Sequence, residues 1–590
     1  MLIRSITPDG QSAVEVGGIT VFVGPNNVGK TAALRDLVLL AGNYDVTSKE
    51  GQPEGDVVTT VIRDVTFVGK ITLDRLLRGL DSMPGETSDA TIVQGIGPDL
   101  RTPFRASFGT EIKNVLYRPV MTARSVRTTA LGQVMPLRAA YLDAERMGEL
   151  LHSAPACSPL QAPESLLQAL HYAAPSVHAE LDAAFRTAFP DRHVRLDASE
   201  HVNLYLRVAA EFPPQIGDPV KDALQLAQFP PADREGVGLQ TYLSVVLAML
   251  LCQGRLILLD QPETALYPEQ ARRLGRWIGQ NSPRLGCQVF IATQSPALLQ
   301  GLLEGSADIS VFQLSRTGNL TRWQAVPADV AGALARFPIF SAQQAIELLF
   351  SDGAVLLPGA DARLVYETAA QRFVGSGNLR FLQTYGARNL AVLARTLRKA
   401  ELPIAVVAEL DVLQSEAGFS ELVKAVTGNP PPAPWLATRE RLAKHVDGLL
   451  GSRQLAAAAH EVESFLDQMK KGDAEAAQVA ASDREDPREK WARLQRDQMA
   501  SVPPDLRVWV EELLDELKHA GLFLSPRGGF EGWLIGGQPT ADPEINLARA
   551  VQALSRGECP AELRAFLNEI VSYLRLQSAP TRPARLNVRS

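Results

Sequence analysis

Two spacings of apolar residues alternate along the first half of the chain, and their alternation sets the predicted elements. Unbroken apolar runs such as ITVFVG (19–24), RLILLD (255–260) and CQVFIAT (287–293) read as strands buried on both faces. TAALRDLVLLAG (31–42), with its helical spacing, reads as the helix after the first of them. Strands and helices in turn predict a mostly parallel sheet flanked by helices. Residues 150–205 read instead as helices with proline breaks, an insertion into that sheet domain. LQTYLSVVLAMLLCQGRLILLD (239–260) is long and apolar, but Gln253, Gly254 and Arg255 divide it into a helix and a short strand. It therefore predicts core, not a membrane span.

A second α/β unit begins near Gly353, with AVLLPG (354–359) and PIAVVAELDV (403–412) as strands and YETAAQRFV and NLAVLARTLRKA as helices. From 414 to 518 the pattern turns helical and charged after the proline-rich turn NPPPAPW, and DREDPREKWARLQRDQ within it reads as a solvated helix. The tail SAPTRPARLNVRS is expected to fray. The resulting partition is 1–149 and 206–345 for the first sheet domain and 150–205 for its insertion. The second domain takes 346–413 and 519–590, tail included, around an insertion at 414–518.

Bulk composition narrows the class. The 590 residues exceed one ordinary core and suggest about three to four units. Hydrophobic residues at 46% and charged residues at 21% are a normal globular balance. A net charge of −7 argues against a protein that coats nucleic acid indiscriminately, while leaving room for a local basic groove. Cys157, Cys252, Cys287 and Cys559 are widely spaced, without a CxxC pair, which suits a reducing cytosol. MLIRSITPDG carries no apolar h-region, so a cytoplasmic protein is expected.

GPNNVGKT (24–31) fits G-x-x-x-x-G-K-[ST] between a predicted strand and a predicted helix. Gly24 and Gly29 let the backbone curl through Asn26 and Asn27 so that its N–H groups face phosphates. The helix N-terminus adds partial positive charge. Lys30 would reach the β- and γ-phosphates, and the Thr31 hydroxyl would ligate Mg²⁺. Asp260, ending its apolar strand, is the natural second residue for the metal. ATP and Mg²⁺ are the cofactors expected.

Further pieces arrive in a telling order: YLDAERM (141–147), EGVGLQTYLSVVLAMLL (235–251), PETALYPEQARRL after the aspartate strand, and FIATQSPALL (290–299). This order resembles the ABC-type ATPases of the SMC and OLD (overcoming lysogenization defect) group over about residues 1–315. GVGLQ matches the place of their signature motif and TQSP that of their switch loop. The resemblance implies a head-to-head ATP sandwich, in which Gly236, Gly238 and Gln240 of one protomer touch the γ-phosphate held by the other. It also implies a dimerisation role for 150–205. Over roughly 350–540, AVLLPGADARLVYE, FLQTYGARNLAVL, AVVAELDVL and GLFLSPRGGFEGWL look like the Toprim nuclease domain of the OLD family. The expected fold class is α/β: an ABC-type P-loop ATPase with a helical dimerisation insertion, followed by a Toprim-like α/β domain with a helical insertion.

Both sites depart from the family's pattern. A Toprim strand ends in Glu-Gly with a second acid four residues after the glutamate; here Pro358 and Ala362 stand there, with Asp361 one residue away. The later Asp-x-Asp reads Glu409-Leu410-Asp411, and Glu531 is a further acid near the end. Two-metal cleavage holds cations roughly 3.5–4 Å apart, and the remaining acids suffice for one weak Mg²⁺ site. In the ATPase half Gln261 replaces the glutamate that polarises water, and Gln294 a histidine often found in the switch loop. Glu263 is the obvious substitute, across a proline that fixes a turn. A general base contributes about 10²–10⁴-fold, so slow turnover is expected.

The implied protein is an ATP-dependent homodimer or higher homo-oligomer of prokaryotic antiviral defence or DNA repair. It would act as a scaffold with slow ATP hydrolysis, whose degenerate Toprim domain docks a partner effector. The alternative is an ATP-regulated Toprim DNA endonuclease with a rearranged metal site built on Glu409 and Asp411. Candidate DNA contacts are Arg388, Arg395, Arg398 and Lys399, and the cluster Arg272, Arg273, Arg276.

Overall fold

The computed structural model describes residues 3–41, 61–67, 81–84, 91–96, 100, 103–108, 138–214, 216–318, 320–335, 346–384, 387–399, 401–446, 502–525, 533 and 542–578. The chain divides into two compact units, Met1–Phe350 and Ser351–Ser590.

The first unit is built on a sheet whose strands are continuous apolar runs. β1 (Ile19–Val23) is buried at every position and leads through the glycine loop into α1 (Lys30–Ala41). β2 (Ala139–Leu142) follows, then α2 (Val237–Leu251), β3 (Leu256–Asp260), α3 (Pro268–Asn281), β4 (Gln288–Ala292) and α4 (Pro296–Gly305). A hairpin, β5 (Ile309–Thr317) and β6 (Leu320–Val326), completes the sheet in the order β6-β5-β1-β4-β3-β2. All neighbours are parallel except β5 and β6. Parallel strands need helices on their faces, which is why the runs carry no polar alternation. The apolar stretch 239–260 is indeed a core helix followed by a strand. Among the described residues no helix is long and apolar enough to cross a membrane.

Residues 150–205 depart from the all-helical expectation. They contain helices Leu166–His171 and Pro175–Ala188, then an antiparallel pair, His193–Asp197 with Asn203–Ala209. In His193-Val194-Arg195-Leu196-Asp197 apolar and polar residues alternate, a period of two that only a strand satisfies.

Helices α3 and α4 lie unusually close because glycines face each other across them. A Cβ on Gly275 or Gly301 would run into the facing backbone at Leu298 or Arg272, and one on Gly279 would stand 2.9 Å from Leu302 O. Glu304 of α4 takes a forked pair of bonds from Arg272 and an ion pair from Arg276 of α3. Arg273 pairs with Glu269 and donates to Thr187 O. The three arginines offered as DNA contacts are thus engaged within the chain, binding its own elements together.

The second unit has its own parallel sheet, formed by β7 (Gly353–Leu357), β8 (Leu379–Gln383), β9 (Ile404–Glu409) and β10 (Leu522–Ser525) in the order β8-β7-β9-β10. α5 (Ala360–Ala369) and α6 (Ala387–Lys399) follow β7 and β8. Val355, Phe381, Val407 and Phe523 of the sheet share a core with Phe566, Leu567 and Ile570 of helix Ala561–Ser578. The stretch DREDPREKWARLQRDQ, Glu531 and the tail lie outside the described residues.

Candidate nucleotide site

The site forms where three neighbouring parallel strands end. Phe22, Ala292 and Asp260 lie in one cross-strand row at the C-terminal ends of β1, β4 and β3. Beyond that row β1 becomes the glycine loop, β4 the Thr293–Ser295 turn and β3 the turn at Gln261. Open α/β sheets bind ligands at such strand ends.

The loop 24–31 has the backbone its motif demands. Gly24 and Gly29 adopt φ of 139° and 100°, and Asn27 one of 62°. Lys30 is buried, and its Nζ donates to Gly24 O at 2.8 Å and Pro25 O at 2.6 Å. Burial pushes the Lys30 ammonium below its ordinary value, opposed by the charges of Glu263 and Asp260. A buried ammonium held by the carbonyls of a glycine loop has the chemistry to take a polyphosphate. The Thr31 hydroxyl donates to Asp260 Oδ1 at 3.1 Å, and the buried Tyr141 hydroxyl to Asp260 Oδ2 at 3.1 Å. Burial raises the Asp260 carboxyl while both hydroxyls pull it down. A hydroxyl and a carboxylate in contact are hard oxygen donors, and they fit Mg²⁺. The bond from Tyr141 to Asp260 spans 119 positions and leaves no local signal in the sequence.

A cleft of about 280 Å³ opens over the loop, lined by Asn26, Asn27, Gly29, Lys30, Thr31, Ala32, Gln261, Gln294 and Arg316. Both glutamines therefore face it, and Arg316 is an addition that no motif announced. Gln261 has φ of 52°, a left-handed backbone uncommon for a residue with a side chain, and its N–H extends the ladder to Ala292 O at 2.8 Å. Glu263 is not among the cleft residues. Its Oε1 accepts from Thr293 Oγ1 at 2.7 Å and from Gln294 N at 2.8 Å, while its Oε2 is enclosed and has no hydrogen-bond partner among the described residues. Burial pushes this carboxyl upward. Its geometry fastens the Thr293–Ser295 turn that carries Gln294.

Gly236, Gly238 and Gln240 lie at the start of α2. Gly236 caps the helix, and a Cβ there would meet no described residue within 4 Å, whereas a Cβ on Gly238 would strike the Ala265 carbonyl. Val237 and Tyr267 nearby are 58% and 76% exposed, large apolar groups facing solvent. Gln240 turns its amide back on its own chain, donating to Asp233 O at 2.9 Å and Glu235 O at 2.7 Å.

In the second unit Glu409 ends β9, beside β7, and Asp411 is exposed in the short turn Leu410–Leu413. Pro358 follows β7, and Asp361 is in the first turn of α5. Among the described residues no group of three or more His, Cys, Asp or Glu could hold a metal. Arg395 pairs with Glu421 at 3.6 Å and Arg398 lies against Gly428, while the Arg388 side chain lies outside the described residues.

Sheet, loop and Asp260 together define the first unit as an α/β P-loop ATPase domain. Residues 165–300 match the family described as "AAA domain, putative AbiEii toxin, Type IV TA system". Similar solved structures include an SMC head bound to the C-winged helix domain of ScpA (11% identity, TM-score 0.35), covering 55% of this chain and 98% of that one. The SMC head domain from Thermotoga maritima is 11% identical, with a TM-score of 0.28 and coverage of 55% and 100%. The Smc head with an extended coiled coil bound to the C-terminal domain of ScpA from Pyrococcus furiosus is 11% identical, with a TM-score of 0.33 and coverage of 56% and 97%. Among curated proteins none matches the chain.

Proposed function

We propose that this protein holds ATP between two copies of itself and hydrolyses it slowly, acting as an ATP-dependent scaffold of the OLD type. The observation that carries the reading is the makeup of the cleft: a complete phosphate loop, with amides at Gln261 and Gln294 on the wall where hydrolysis needs a base. Lys30 would leave its two carbonyls for the β- and γ-phosphates, and Thr31 with Asp260 would hold the metal. Bound Mg²⁺ would neutralise phosphate charge. Gln261 can orient a water by hydrogen bonding but cannot accept its proton, and Glu263 keeps Gln294 in place from behind. The second copy would complete the site with the N-terminus of α2, where the exposed Gly236 leaves the backbone accessible and Gly238 packs against the Ala265 carbonyl; Gln240 supports that turn.

The second unit is read as a Toprim-like domain that has kept its sheet and lost most of its metal ligands, and so serves as a docking surface for a partner effector. Pro358 and Ala362, standing where the family's leading acids would be, support this. One observation favours the nuclease alternative: Glu409 and Asp411 remain at the switch point between β7 and β9, where parallel sheets bind ligands. Defence against phage or DNA repair is the setting the family resemblance suggests.

The test measures ATP turnover and Mg²⁺- or Mn²⁺-dependent DNA cleavage in one preparation. Gln261→Glu should raise turnover about 10²–10⁴-fold, the usual contribution of a general base. Neither the parent nor Glu409→Ala/Asp411→Ala should cut DNA. Cleavage by the parent that this double variant abolishes would make the protein a nuclease instead.

A further inference from the structure

A phosphate-binding loop has two sides. Its amides point inward to take phosphate, so its carbonyls point outward, and a buried carbonyl needs a donor. Two donors come from the β5–β6 hairpin, 289 and 293 positions away along the chain. Arg316 Nη1 donates to Asn27 O at 3.2 Å, and its Nε to Gly318 O at 3.2 Å, which ties the guanidinium to the hairpin's own turn. Thr321 Oγ1 donates to the buried Val28 O at 3.0 Å. Arg316 and Thr321 are directly opposed across the hairpin, so both side chains rise from one face. That face also touches the loop's glycines. Gly24 lies against the Leu314 carbonyl with no room for a Cβ, and a Cβ on Gly29 would stand 2.8 Å from Thr321 Oγ1.

We propose that the β5–β6 hairpin is a clamp that pre-forms the phosphate cradle, with Arg316 and Thr321 as positioning residues. The proposal deepens the nucleotide reading and rests on it. Holding the carbonyls of Asn27 and Val28 outward fixes the peptide planes of Asn27–Val28 and Val28–Gly29, and with them the inward direction of the next two amides. Released, those planes can turn, and a carbonyl presented to phosphate repels it. A loop already ordered loses less freedom when the ligand arrives, so the clamp acts on affinity. Its signature differs from that of a direct contact. A cradle treats every polyphosphate alike, whereas a guanidinium on the γ-phosphate would favour ATP alone.

The experiment measures Kd by calorimetry for MgATP, MgADP and magnesium pyrophosphate on the full chain. Thr321→Val and Arg316→Met remove the outward donors with little change in volume. Each should weaken all three ligands by a common factor: about tenfold for Thr321→Val, the size of one lost hydrogen bond to a buried group, and about threefold for Arg316→Met, whose bond to Asn27 O is exposed. Thr321→Ser and Arg316→Lys restore a donor and should recover most of the loss, which general destabilisation would not do. Lys30→Ala serves as the reference for a broken site. If it abolishes binding while Thr321→Val and Arg316→Met leave all three affinities unchanged, the clamp is wrong and the nucleotide site stands. Weakening of MgATP alone would overturn the clamp in favour of a direct γ-phosphate contact. If the parent binds none of the three, the nucleotide reading falls and the clamp with it.

Discussion

Replacing Gly301 with alanine should destabilise the first unit, while the same replacement at Gly332 should stabilise it. Both glycines are in helices, where alanine is worth about 1 kcal/mol over glycine. At Gly332 a Cβ would meet no atom of the described residues within 4 Å, so the gain in propensity sets the sign. At Gly301 a Cβ would overlap the Arg272 carbonyl oxygen and stand 2.8 Å from its carbonyl carbon and 2.9 Å from Arg276 N. All three neighbours are backbone of α3, so no rotamer change can relieve the overlap. The helices must separate by roughly 1 Å, which is overpacking at the upper end of the usual 1–3 kcal/mol. Subtracting the propensity gain leaves a loss of about 2 kcal/mol. Separation would also pull Glu304 from Arg272 and Arg276, adding to the loss. Urea melts followed by tryptophan fluorescence would measure it, and a thermal melt should fall by about 4–8 °C for Gly301→Ala and rise by about 2 °C for Gly332→Ala. Equal and positive shifts for the two variants would mean that α3 and α4 are not in backbone contact, and the argument from their glycines would fail.

Three further expectations concern the cleft and its supports. Gln261 holds a left-handed backbone that glycine adopts freely, so Gln261→Gly should change stability by less than about 1 kcal/mol. It should nevertheless remove the residual ATP turnover; a variant that still hydrolyses at the parent's rate would show that the amide at 261 has no part in the reaction. Glu263→Gln keeps an oxygen for Thr293 and Gln294 and should stay within about threefold of parental turnover, whereas a loss of about 10² or more would identify Glu263 as the base. Asp36 of α1 is buried, and its Oδ2 accepts from Val61 N at 2.7 Å and Ile62 N at 2.9 Å; burial outweighs these bonds and pushes its carboxyl from 3.8 to about 6. The folded state therefore binds the extra proton in that window, so stability is fullest below it, falls as pH rises through it, and carries a cost of about 3 kcal/mol above it. Asp36→Asn should gain on the parent between pH 4 and pH 7, and denaturation curves whose separation does not change with pH would refute this.

What was legible in the sequence follows the range of the interactions. The loop from Gly24 to Thr31 could be read because its chemistry requires adjacent residues, and β1, β3 and β4 because burial on both faces leaves an unbroken apolar run. The strand His193–Asp197 was missed although its alternation is present, since five residues between proline-broken helices give a weak period. Charge was harder. Arg272 and Arg276 look like a basic patch until Glu304, on another helix, is placed between them, and no local pattern specifies that. The same holds for the support of the cleft. Gln261 and Gln294 could be named from motif position, but whether Glu263 faces the cleft depends on the turn that follows a left-handed residue, and the sequence does not encode that angle in any single letter. Tyr141 and the hairpin residues Arg316 and Thr321 contact the site only through the tertiary fold. The pattern has a physical cause: residues that touch a ligand are constrained by its chemistry and share recognisable types, whereas residues that hold those groups in place need only supply a donor at the right point in space. Serine, threonine, tyrosine or arginine can each do that from anywhere in the chain. Positioning residues are therefore where a structure adds most to a sequence, and at this site they come from β2, the turn after β3, and the β5–β6 hairpin.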